Sequence, residues 1–184
     1  AEKLLPDHFD GMRRPILNTD YFEAYNRDNV TLVDLRETPL EQITEKGVQT
    51  SEKEYELDIL VFATGFDAMT GPLFKLNIQG KNGIMLKEKW AQGVKTYLGI
   101  ATAGFPNMFM ITGPQSPSFL SNVIVSIEQH VDWIKDCLDY MKKHNADTIE
   151  ANEDAEQKWA QQCSAIANMT LLSKTDSWYW GVNI

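Results

Sequence analysis

The chain has 184 residues, 43% of them hydrophobic, which is enough to bury a core as one domain or two small ones. With 17 basic against 26 acidic side chains its net charge is -9, which repels both a phosphate backbone and an anionic bilayer and argues against nucleic acid and membrane as partners. No run approaches the roughly 18 apolar residues of a membrane span, and the N-terminal residues lack a signal peptide's apolar stretch. A soluble, cytoplasmic protein is therefore expected. The absence of an initial Met and of a polar tail after Trp178 lead to the further expectation that both ends are cut.

In chain order, the alternating segment from Asn29 to Leu35 is predicted as a half-buried strand ended by Pro39. Gly47, between Ile43 and Val48, predicts a turn joining two short paired strands, so the first third reads as an antiparallel β-meander. Ile59 to Ala63 is a continuous apolar run closed by Thr64 and Gly65, the pattern of a strand buried on both faces of an α/β sheet. Met108 to Ile111 predicts a second buried strand, with a short helix over 86–91 between the two. Ile127, Val131, Ile134, Leu138 and Met141 recur at helical spacing and predict a long amphipathic helix over 120–143. A second helix is predicted over 153–169, with Asn152 as its N-cap and Glu153 and Asp154 at the positive end of its dipole. The expected class is α/β, with these two helices covering the sheet.

Few patterns carry chemistry outright. HExxH, GxSxG, a Walker loop and GxGxxG are all missing, and the two cysteines, Cys137 and Cys163, have no metal-ligand spacing. They read as reduced thiols in helices. His8, His130 and His144 are scattered, with His130 expected on the flank of its helix.

Three segments admit two readings each. Arg13-Arg14-Pro15 is a solvated basic loop, or a pair of guanidiniums in which the proline holds residue 14 extended and aims its side chain. Residues 113–118 form a turn, or a stiff ligand-facing loop ahead of a helix N-terminus. Trp178 is a packing anchor, or an indole N–H donor in a pocket.

Four segments in order, residues 25–30 (Tyr-Asn-Arg-Asp-Asn-Val), 62–67 (Phe-Ala-Thr-Gly-Phe-Asp), 102–107 (Thr-Ala-Gly-Phe-Pro-Asn) and 177–179 (Ser-Trp-Tyr), resemble the Baeyer–Villiger monooxygenases. The resemblance extends over almost the whole chain. It implies the C-terminal portion of a flavoprotein with two dinucleotide-binding domains, FAD and NADP(H) as cofactors, and a ketone and O2 as substrates. A C4a-peroxyflavin formed from reduced flavin would attack the ketone and yield an ester or lactone. Residues 1–66 would finish the NADP-binding domain and residues 67–184 the FAD-binding domain.

By the same resemblance Arg14 takes the place of the active-site arginine and Arg13 that of the basic residue before it, both touching NADP. Trp178 would reach the nucleotide's ribose, Val123 the flavin, and Ser118, Phe119 and Leu120 would shape the ketone pocket, Phe119 making it tight. The family's two GxGxxG loops precede these segments and do not occur in this sequence. The implied partner is the remaining N-terminal FAD/NADP-binding portion of the enzyme. Two alternatives stand beside this reading: a related flavin monooxygenase oxidising nitrogen or sulfur nucleophiles, and a non-catalytic piece that lacks the cofactor-binding loops.

Overall fold

The computed structural model describes residues 2–6, 8–9, 11–13, 16–116, 121–177 and 179. The chain divides into two compact units, Ala1–Thr64 and Gly65–Ile184.

The first unit holds a one-turn helix, α1 (Tyr21–Ala24), and a three-stranded antiparallel sheet, β1 (Leu40–Ile43), β2 (Gly47–Thr50) and β3 (Glu54–Glu56), in the order β1-β2-β3. Ile43 faces Val48 and Val48 faces Tyr55, so the strands share a row of apolar side chains. Threonine hydroxyls build both turns. Thr44 Oγ1 accepts from the amides of Lys46 and Gly47 at 3.2 and 3.1 Å, and the buried Thr50 accepts from Glu52 and Lys53, both at 3.3 Å. Gly47 is required by close approach, since a Cβ there would lie 2.0 Å from the Tyr55 carbonyl oxygen.

The predicted meander is thus present, though its first strand is misplaced. Residues 29–35 form no strand, because Asp34 gathers the following backbone into a turn. Its carboxylate accepts from Arg36 N at 3.0 Å, and its carbonyl accepts from Glu37 N and Thr38 N. Nor does the run 59–63 form the buried strand expected of it. Ile59, Val61 and Phe62 are 79%, 78% and 65% exposed. A strand buried on both faces needs hydrogen-bonding neighbours, and among the described residues none pairs with this run.

The second unit is helical: α2 (Gly71–Lys75), α3 (Leu86–Lys89), α4 (Val123–Lys143) and α5 (Glu153–Asn168). Its core is Leu86, Trp90, Phe105 and Met110, with Leu73, Phe74, Ile78, Val94 and Met108 packed around them. Met108 to Ile111 makes no strand. Met110 N donates to Ile100 O at 2.7 Å without a ladder around it, and Met110 goes into the core.

Both long helices form where the periodicity places them, and their caps explain the limits. Asn122 Oδ1 accepts from Ile124 N at 3.0 Å, and Asn152 Oδ1 from Ala155 N at 3.2 Å. The inward face of α4 is rotated from the predicted stripe. Ile127, Ile134 and Met141 are half-buried as expected, but Val131 and Leu138 are exposed, and His130 and Cys137 take their places. Nor do the helices cover a sheet within this unit, where no strand longer than a single bridge occurs among the described residues. They dock instead on the irregular segment 94–116. Among the described residues no helix is long and apolar enough to cross a membrane.

Candidate functional site

The segment 102–107 is the polar hub of the second unit. Thr102 is fully buried, and its hydroxyl donates to Glu156 Oε1 at 2.7 Å; the Ala103 amide donates to the same oxygen at 2.9 Å. Lys89 reaches the other carboxylate oxygen at 2.9 Å and the Ala103 carbonyl at 2.6 Å. A buried ion pair of this kind is tolerable only when its remaining valences are satisfied, as they are here. One residue on, Gly104 N donates to Glu150 Oε1 at 2.6 Å, and Lys81 pairs with the other oxygen of Glu150. The lysine bond first, and then the amide, hold the Glu150 carboxyl below its ordinary pKa. Asn107 completes the hub: its backbone and side chain exchange bonds with Ile149 at 2.9 and 3.0 Å, and its Nδ2 donates to Asp147 O.

Gly80 fits against this hub because it has no side chain; a Cβ would lie 2.4 Å from Gly104 O. The segment therefore ties α3, the link from α4 to α5, and α5 to one place. Glu156, Lys89 and Glu150 were not singled out by sequence. Glu156 sits in the first turn of α5 with Glu153 and Asp154, and nothing in the pattern marks it as the buried one.

A second constellation lies at residues 112–116. His130, the buried residue of α4, accepts from Thr112 N through Nδ1 at 3.0 Å, so it is inside its helix interface and not on the flank. Burial pushes its pKa down. Gly113 and Pro114 are buried, and the side chain of Gln115 bonds to Thr96 and Val94. Trp159 Nε1 donates to the Gln115 carbonyl at 3.3 Å. Cys137 lies in α4 and Cys163 in α5, both half-buried free thiols whose pKa burial raises. A cavity of about 230 Å³ opens between Tyr97, Phe105, Phe109, Trp133 and the 149–152 link.

Of the residues singled out by sequence, Arg13 is half-buried in the first unit, beside buried Met12, and Val123 is half-buried as the first residue of α4 in the second. Arg14, Ser118, Phe119, Leu120 and Trp178 lie outside the described residues. Among the described residues no group of His, Cys, Asp and Glu is arranged to hold a metal.

No protein-family model matches the chain. Among curated and solved proteins it is similar to monooxygenases. A cyclohexanone 1,2-monooxygenase from Acinetobacter sp is 43% identical, over 100% of this chain and 34% of that protein. A phenazine N-monooxygenase from Lysobacter antibioticus is 42% identical, over 100% of this chain and 34% of that protein. The fold overlays on a crystal structure of OTEMO in complex with FAD and NADP with a TM-score of 0.92 and 41% identity, covering 96% of this chain and 33% of that one. Over its whole length the chain is similar to Baeyer–Villiger monooxygenases, and it spans about a third of the length of the curated relatives it matches.

Proposed function

We propose that this chain is part of an FAD- and NADPH-dependent Baeyer–Villiger monooxygenase that converts ketones to esters or lactones. The observation that carries this reading is the likeness, from one end of the chain to the other, to ketone monooxygenases in both sequence and fold. When bound, FAD and NADPH supply the two electrons that divide O2, so that one oxygen enters beside the carbonyl and the other leaves as water.

The donor set fits such cofactors. A guanidinium matches a nucleotide phosphate in charge and fork geometry, and an indole N–H can donate to a ribose hydroxyl. In this reading Arg13 and Arg14 bind NADP, Trp178 meets its ribose, and Val123 packs on the flavin. Arg14 has the further task of stabilising the negative charge that develops on oxygen as the ketone is attacked, which a permanently cationic side chain does without reorganising. Ser118, Phe119 and Leu120 shape the ketone pocket. Residues 1–66 belong to the NADP-binding domain and 67–184 to the FAD-binding domain of an α/β flavoprotein, whose remaining portion carries the glycine-rich loops. The run 59–63 then gains its sheet neighbours from that portion.

The test is NADPH- and O2-dependent conversion of a cyclic ketone to its lactone by the enzyme at the full length of its relatives. Arg14→Ala should lower kcat by about 10² or more. A second reading, oxygenation of a nitrogen nucleophile, is favoured by the phenazine N-monooxygenase relative. Turnover of heteroaromatic amines without any of ketones, and unaffected by Arg14→Ala, would select it, since a fixed cation serves an anionic attacking oxygen and not a neutral one.

A further inference from the structure

We propose that Gln115 is a positioning residue for ketone selectivity: its amide fixes the backbone from which the pocket residues Ser118, Phe119 and Leu120 follow. This rests on the reading of residues 118–120 as the ketone pocket.

The amide of Gln115 is committed to backbone two segments away. Its Oε1 accepts from Thr96 N at 2.9 Å and lies 3.1 Å from the Thr96 hydroxyl, which also donates to Pro114 O at 2.9 Å; its Nε2 donates to Val94 O at 3.0 Å. Thr96 is itself wholly buried, and its hydroxyl accepts from Gly99 N at 3.2 Å. From the other side, Trp159 Nε1 and Cys163 Sγ approach the Gln115 carbonyl at 3.3 and 3.7 Å. Its neighbours are tethered too. Thr112 N is held by His130, Gly113 N donates to Gly99 O at 3.1 Å, and Ser116 Oγ donates to Gly113 O at 2.6 Å.

The backbone at Gln115 has φ 67°, the left-handed region in which a side chain is strained and glycine is not. A turn alone would be served better by glycine. What glutamine adds is the amide, and the amide does one thing: it pins this loop to 94–96 while α5 pins it through Trp159. Residue 116 therefore leaves a fixed base, two residues before the pocket begins. A pocket wall must be held within roughly 0.5 Å to discriminate substrates, and freedom at such a base grows along the residues that follow.

Gln115→Gly separates positioning from folding, because it removes the amide and relieves the strain together. Trp159→Phe removes the indole N–H and keeps an aromatic ring in its place. In the full-length enzyme, both variants should keep their flavin and a kcat on a small cyclic ketone within about twofold of wild type. Their kcat/KM ratio for a bulky over a small ketone should shift by about fivefold, the equivalent of one hydrogen bond. An unchanged ratio in active, flavin-loaded variants overturns the assignment. So does a uniform loss of flavin and of activity on every ketone, which would make the clamp structural only. Absence of ketone turnover in the wild-type enzyme overturns the proposed function itself, and with it the pocket on which Gln115 is argued to act.

Discussion

Glu156 shows how one side chain can hold together three pieces of chain that are distant in sequence. It is 2% exposed and takes bonds from Lys89, Thr102 and Ala103, so each partner lost leaves another buried group unsatisfied. Glu156→Gln keeps an acceptor for Thr102 and Ala103 but strands the lysine, and should cost about 3 kcal/mol in chemical denaturation. Adding Lys89→Met should recover much of that loss, since it removes the buried ammonium left without its carboxylate. The motif Thr102 to Asn107 was legible in sequence as a family mark. Its role was not, because many of the groups it bonds to, at Asp147, Ile149, Glu150 and Glu156, lie 40 or more positions away.

At the scale of elements, what depends on nearby residues was readable and what depends on distant ones was not. The start of α5 follows from Asn152, whose side chain meets an amide three residues on, whereas α4, expected from 120, starts at Val123 because Asn122 caps it in the same way. The rotation of α4 does not follow from its own pattern. His130 turns inward because it finds the Thr112 amide there, and only the neutral ring can accept that bond. Its folded pKa lies below the ordinary 6.5, so protonation favours the unfolded chain. The stability it contributes is complete above about pH 6.5 and is lost as pH falls through the lower, folded value. Melting curves from pH 8 to pH 5 should show that decline, and His130→Gln, which can accept without titrating, should flatten it. A decline of equal depth in the variant would assign it to the carboxylates.

Considered as a whole, the molecule divides its labour unevenly. The second unit has a core and a satisfied polar hub within itself, whereas residues 59–63 were predicted as buried and are not. That prediction failed for a physical reason: a strand is completed by its neighbours, and apolar composition alone supplies none. The roles proposed for Arg14, Ser118, Phe119, Leu120 and Trp178 rest on resemblance, since isolated residues of this kind leave no periodic signature.

Ile59 to Ala63 has a consequence for anyone handling the chain by itself. Five uncharged residues without proline, three of them largely open to water, have the composition that recruits identical segments into stacked cross-β arrays. The purified 184-residue chain should grow amyloid-dye-positive aggregates on standing, and Val61→Lys should suppress them by setting like charges against each other at every layer.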